Sequence, residues 1–254
     1  MIAGRASAVR QAGRLLALLL LAVLALQLVF LLRIALMTVV DPQSTTFQRS
    51  EAGRLLSERQ RILWSQQWVQ GTALSTHLKR AVIASEDAGF VEHTGVEWDA
   101  IERAWDKNLR VQARAERAVA TRPGTRQGAR PPKVVGGSTI TQQLAKNLLL
   151  SGERTVLRKG QELVLTVMLE TMLSKQRILE IYLNNVEWGE GIFGAQAAAR
   201  HYFRIDASRL SAEQAARLAV MLPAPKRFEK NPASPYVLGR AATIVARMGD
   251  VVLP

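Results

Sequence analysis

The hydrophobic positions of this chain fall into two regimes. Residues 15–32 form an 18-position run that carries no charge and is dominated by leucine. Arg33 interrupts it, and Ile34 to Val40 is then mostly apolar again. Roughly 20 such residues cross the hydrocarbon layer of a bilayer, and an arginine near the end can snorkel to the interface. The pattern predicts a membrane-spanning helix. Arg5, Arg10 and Arg14 precede it, which orients the N-terminus towards the cytoplasm. A cleaved signal peptide is the alternative, but its apolar core is usually shorter, and no clear small-x-small site follows Leu32.

Beyond Val40 the apolar positions thin out and become periodic. Asp41 to Gln48 is polar and reads as the exit from the membrane. Leu55, Leu56, Ile62, Leu63, Trp64, Trp68 and Val69, set among Arg, Glu and Gln, predict an amphipathic segment over 50–70 that Gly71 ends. Trp64 and Trp68 would then lie one helical turn apart. A helix-like stretch over 76–85 leads to Glu86, and Val96, Ala100, Ile101, Ala104, Trp105 and Leu109 recur at helical spacing. Thr139 with Gln142 fits a capping box that opens a further helix after Gly136-Gly137. Helices follow at 158–169, 175–185, 195–203, 211–222 and 236–248, divided by Gly189, Gly191 and Gly194, by Pro223 and Pro225, and by the loop Asn231–Pro235. No stretch alternates convincingly as a strand. The expected architecture is mainly α: a basic N-terminus over 1–14, an anchor over 15–40, and one helical domain over 41–254.

Charge sharpens this picture. The chain has 34 basic and 21 acidic residues and a net charge of +13, an excess that suits an anionic partner such as nucleic acid, an acidic membrane or a phosphate-bearing substrate. Much of it lies in an arginine-rich stretch over 107–135, broken by Pro123, Gly124, Gly128, Pro131 and Pro132, which reads as a basic flexible loop. Cysteine is absent, which excludes disulfides and thiol chemistry. His77, His93 and His201 lack metal-ligand spacing, so no zinc site is expected.

The candidate chemistry gathers on acids beside apolar runs. Glu86 and Asp87 follow Ala81-Val82-Ile83-Ala84, where a desolvated carboxylate needs a partner or a shifted pKa, the condition under which acids are tuned for proton transfer. The structural alternative is that Glu86 and Asp87 open a helix and face the positive end of its dipole. The glycine-led helix start at Ser138-Thr139 is a natural anion site, though it lacks the spacing of a Walker loop. Arg158 and Glu162 share a helical face ahead of the apolar run 163–169. Their alternative is a surface salt bridge worth under ~1 kcal/mol.

Taken together, four of these stretches resemble the motifs of the peptidoglycan glycosyltransferases of glycosyltransferase family 51, in their monofunctional, membrane-anchored form. They are Glu86-Asp87-x-x-Phe90-x-x-His93-x-Gly95, Gly136-Gly137-Ser138-Thr139-Ile140-Thr141-Gln142-Gln143, Arg158-Lys159-x-x-Glu162, and Lys175-x-x-Ile178-Leu179-Glu180-x-Tyr182-Leu183-Asn184. The likeness covers roughly residues 45–250, and the arginine-rich insertion before Gly136 is its main departure. With the sequence ending soon after residue 250, the transpeptidase domain of bifunctional relatives is not expected.

The resemblance implies a lysozyme-like helical fold that polymerises lipid II into glycan strands and releases undecaprenyl pyrophosphate with inversion. It implies Glu86 as the general base towards the acceptor 4-hydroxyl. Glu162 would be a second carboxylate, holding a divalent ion such as Mg²⁺ or orienting cations at the pyrophosphate. No organic cofactor is expected. Substrate would be held by Asp87, Phe90, His93, Ser138, Thr139, Gln142, Gln143, Lys146, Arg154, Arg158, Lys159, Lys175, Glu180 and Asn184. The implied setting is the bacterial inner membrane, with the catalytic domain periplasmic, cell-wall synthesis proteins as neighbours, and no nucleic acid partner. Two rivals are a lytic enzyme that uses Glu86 as a general acid, and a non-catalytic scaffold that binds anionic polymer.

Overall fold

A computed structural model describes residues 2–98, 102, 110, 137–150, 152 and 155–254, with the backbone alone for 2–9. The helix predicted after Val96 and the basic loop over 107–135 fall outside the described residues apart from single positions. Helix α1 (Ile2–Leu36) is continuous and, from Arg10 onward, long and apolar enough to cross a membrane. Its leucines stand exposed up to the last turns, where Ile34 and Met37 enter the core and Phe30 packs against it. The helix therefore ends docked by one side against the folded domain.

α2 (Thr46–Arg59) opens on a capping box between Thr45 and Gln48 and stops where Gln60 turns left-handed. This corrects the expectation of one amphipathic segment to Gly71: beyond Gln60 the chain is extended. Trp64 packs against Phe193 with ring centroids 4.6 Å apart, while Trp68 lies under the guanidinium of Arg177 at 5.6 Å. A second correction concerns strands. Ser65–Gln66 pairs parallel with Ile192–Phe193, which pairs antiparallel with Glu187–Gly189. Strands of two or three residues are too short for alternation to show in the sequence. Gly191 makes the turn between the last two strands with φ of 73°, and a Cβ there would lie 2.0 Å from the carbonyl oxygen of Leu63.

The remaining described helices are α3 (Thr76–Glu86), α4 (Ile140–Leu149), α5 (Val156–Met172), α6 (Lys175–Asn185), α7 (Ala195–Phe203), α8 (Ala212–Met221), the single turn α9 (Pro225–Phe228) and α10 (Pro235–Arg247). The domain is mainly α, as the periodicity predicts. α3 packs on α8 and α10, while α4 packs on α2, α5 and α6. Leu78, Val82, Ile140, Leu144, Leu148 and Leu165 are fully buried in this core. Burial of that kind, at roughly 1.5–3 kcal/mol per large apolar side chain, is what fixes the ends of α3, α4 and α5 in space. Those elements carry Glu86, Gln143 and Glu162 respectively.

Candidate active site

Glu86 is the last residue of α3 rather than the first of a helix, so the helix-dipole alternative does not apply to it. Its Oε2 accepts a hydrogen bond from Nε2 of Gln143 on α4 at 3.0 Å, and Ser85 Oγ lies 3.4 Å from Oε1. Gln143 is itself oriented, because its Oε1 accepts from the hydroxyl of Tyr182 on α6 at 2.9 Å. Tyr182 is buried, so its hydroxyl has one preferred use. Burial pushes the Glu86 carboxyl above the ordinary carboxylate range; the neighbouring charge of Asp87 adds to this, and Gln143 and Ser85 partly oppose it. No cation bonds this carboxylate among the described contacts.

Asp87 faces the other way and is fully committed. Its Oδ2 accepts the backbone N–H of Ile140 at 2.9 Å, and its Oδ1 lies 2.7 Å from Nε2 of His93. His93 Nδ1 accepts the Gly95 N–H at 3.0 Å, so the hydrogen shared with Asp87 sits on Nε2. Gly95 O in turn accepts from Thr139 Oγ1 at 2.6 Å. Thr139 also caps α4 in a box with Gln142, which occupies the Gln142 side chain. Burial raises the Asp87 pKa, while His93, the Ile140 N–H and Lys175 restrain it. This closed circuit ties the 87–95 turn to the start of α4 and so places Gln143 opposite Glu86.

A cleft of about 600 Å³ opens beside Gln143. Its walls include Ser138, Gln142 and Gln143 at the start of α4, Lys146 in its last turn, and Arg158, Lys159 and Glu162 from the first half of α5. Glu162 is buried and holds two cations: Arg158 Nη1 lies 2.9 Å from its Oε2, and Lys159 Nζ bonds its Oε1. With each oxygen taken by a cation, this donor set does not suit a divalent ion, which would have to bind against Arg158 and Lys159. A separate group, Asp87, His93 and Glu97, has ligand atoms within 4.8 Å of one another, but Asp87 and His93 already spend theirs on the circuit above. The cationic wall itself can hold an anion, since Lys159 is half-exposed and Lys146 is exposed beside it.

The other predicted positions lie elsewhere. Lys175 bonds Glu170 at 2.9 Å and stands 4.6 Å over the ring of the buried Phe90; Glu170 also accepts from Thr141. These groups lock α4, α5 and α6 together behind the cleft. Asn184 is buried and clamps the backbone of Val69 through both N–H and C=O. Glu180 pairs with Arg177 at 3.2 Å and lines a separate cavity of about 220 Å³ with Gly71 and Lys79. Arg154 lies outside the described residues.

Two features of the site were not singled out from the sequence. Tyr182 falls inside the fourth motif, and its place between Ile181 and Leu183 on a buried helix was the available signal. Glu187, in the apolar setting of Val186 and Trp188, lines the far wall of the cleft with Glu51, and Lys226 stands beside both. Burial pushes the Glu187 carboxyl up to about 7, against the pull of Lys226 and with the repulsion of Glu51 and Glu229.

Comparison with known proteins agrees with this geometry. The family model described as Transglycosylase matches residues 53–249. A protein named biosynthetic peptidoglycan transglycosylase from Burkholderia thailandensis is 52% identical over 231 residues, covering 91% of this chain and 83% of the relative. Its namesake from Burkholderia pseudomallei gives the same identity and coverage. That from Paraburkholderia xenovorans is 48% identical over 91% of this chain and 88% of its own length. With a buried carboxylate, a cationic cleft and these likenesses in agreement, the chain belongs to the transglycosylase family.

Proposed function

We propose that this protein is a peptidoglycan glycosyltransferase that polymerises lipid II, with Glu86 as its base. The observation that carries the assignment is the contrast within one site: Glu86 is half-buried against neutral partners, and the neighbouring cleft is lined by Lys146, Arg158 and Lys159. In the reaction, the acceptor 4-hydroxyl attacks the anomeric carbon of the donor. The new C–O bond forms as the bond to the lipid pyrophosphate breaks, and that electron pair leaves on the pyrophosphate. Glu86 takes the hydroxyl proton, a step typically worth 10²–10⁴-fold. A raised proton affinity suits a base, and Gln143 keeps the carboxylate aimed at one position. The leaving group is already ionised, so it needs no acid; it needs cations, and Lys146, Arg158 and Lys159 supply them.

Glu162 then serves by orienting Arg158 and Lys159. α1 would hold the domain against the outer face of the bacterial inner membrane with the N-terminus in the cytoplasm, where a lipid-linked substrate is presented. The test is incubation of the detergent-solubilised chain with labelled lipid II beside a Glu86→Gln variant. Polymer from the wild type and none from the folded variant is expected. Shortening of preformed glycan without use of lipid II would replace this reading with a lytic one, and inertness towards both would leave a scaffold.

A further inference from the structure

Among residues 15–32, which no charge interrupts, Gln27 is the single polar side chain. It is not left to lipid. Its Nε2 donates to Oε1 of Gln161 at 2.8 Å, and Gln161 Nε2 donates back to Gln27 Oε1 at 3.0 Å. Gln161 sits on the first turns of α5, next to Glu162 and two residues from Lys159. Gln27, Phe30 and Ile34 recur at helical spacing and form the docked stripe of α1: Gln27 and Phe30 are half-buried and Ile34 is fully buried. The pair lies about 7.5 Å inside the end of the charge-free run, taking 1.5 Å per residue from Gln27 to Leu32. On the neighbouring surface of α5, Val156, Leu157 and Val164 are exposed, so the pair is set in an apolar layer.

A second clamp fixes α1 at its exit. Arg177 on α6 donates to the carbonyls of Met37 at 2.8 Å and Val40 at 3.1 Å and pairs with Asp41 at 2.7 Å. A helix held at two heights is not a loose tether. Between them, the lower clamp holds α1 to the domain as a whole, whereas the Gln27–Gln161 pair holds it to the helix that bears the cationic wall. In an apolar layer an amide finds few other partners, and the reciprocal bond has only one register in which both N–H groups are used.

We propose that the Gln27–Gln161 pair sets the register of the anchor on α5, and so the depth at which Arg158, Lys159 and Glu162 meet a membrane-borne pyrophosphate. Gln27 is then a positioning residue for the site, acting through Gln161. This rests on the polymerase reading above.

The experiment compares wild type and Gln27→Leu, as full-length chains, on two substrates. One is lipid II embedded with its full lipid in phospholipid vesicles; the other is a short-chain, water-soluble lipid II analogue assayed in detergent. For Gln27→Leu we expect KM for the vesicle substrate to rise about tenfold with kcat little changed, and kinetics on the soluble analogue to match wild type. Gln161→Leu and the double variant should show the same split, because restoring an apolar pair does not restore the register. Unchanged KM in vesicles would overturn the proposal. So would an equal loss on both substrates with a lowered Tm, the mark of a merely structural bond. Should Gln27→Leu fail to accumulate, Gln27→Asn, which keeps an amide but not the reach, is read by the same criteria. If the wild type makes polymer from neither substrate, it is the polymerase reading that fails.

Discussion

Glu86 and Glu162 are the same residue in opposite surroundings. Glu86 ends a helix among apolar neighbours, and its described hydrogen bonds come from an amide and a hydroxyl, so burial raises its proton affinity. Glu162 lies one turn beyond Arg158 and Lys159 on α5 and is held between their guanidinium and ammonium. A carboxylate without a countercharge is available to act as a base; one clamped by two cations serves to order them. The difference teaches that burial alone does not mark a catalytic acid. What separates the roles is which partner offsets the burial, and that partner is set by helix register: Arg158 and Lys159 are one turn before Glu162, whereas Glu86 is followed by the end of its helix.

The contrast is broken most directly by neutralising each acid. Glu86→Gln should lower activity by 10²–10⁴-fold and leave Tm unchanged or slightly raised, because a desolvated charge is removed. Glu162→Gln should cost activity by a smaller factor, on the order of 10²-fold, but should also destabilise the fold by about 1–3 kcal/mol, since Arg158 is largely buried and loses its countercharge. Assay with labelled lipid II, paired with thermal melts, gives both readouts. Similar melts for the two variants would erase the distinction.

Titration probes the Glu86 half of the comparison by itself. Because the folded state raises the Glu86 pKa, it binds this proton more tightly than the unfolded chain does. The stability that protonated Glu86 contributes is full below the ordinary carboxylate pKa and is lost as pH rises through the raised value. Activity should follow the opposite course, rising with pH through that same raised value as the base ionises. Gln143→Leu removes a bond that favours the charged form, so the rising limb of the pH–rate profile should move to higher pH. A profile that stays in place would mean that Gln143 does not govern the base.

Tyr182→Phe tests the same line from one residue further back. It deletes the hydroxyl that holds the Gln143 amide, leaving Nε2 and Oε1 free to exchange places. A drop of about tenfold in kcat with KM nearly constant is expected, equivalent to roughly 1.4 kcal/mol. An unchanged kcat would show that Glu86 holds Gln143, not the reverse.

Much of this arrangement was legible in the sequence, and the exceptions have physical causes. Periodicity placed most of the described helices because each buries one face, and the capping residues Thr139 and Gln142 announced α4. The three short strands were invisible because two or three residues cannot display alternation. Tryptophan spacing misled for a related reason: Trp64 and Trp68 fit a helical turn, but Gln60 turns left-handed and the chain runs extended beneath Phe193 and Arg177. Asp87, Phe90, His93, Lys175 and Asn184 show the limit of motif reading. A motif gathers residues that must stay together, and the structure shows these bonded to one another or to backbone. Glu187 and Lys226 approach the cleft from elements far apart in the chain, a relation that spacing cannot express.

The smallest expected effect concerns how the two halves of the comparison are joined. Thr139 caps α4 and donates to Gly95 O, so it connects the turn after Glu86 to the helix that carries Gln143 and Lys146. Thr139→Ala removes both bonds, while Thr139→Ser keeps the hydroxyl. Loss of a cap of this kind costs about 1 kcal/mol, or about 2–4 °C in Tm for a chain of this size. Because Asp87 still holds the N–H of Ile140, α4 should stay in place and activity should fall only about twofold. Serine should restore both values. A larger loss of activity from alanine, without a larger fall in Tm, would mean that the Thr139 hydroxyl meets the substrate itself, and the helix start would then join the cationic wall as a direct ligand of the pyrophosphate.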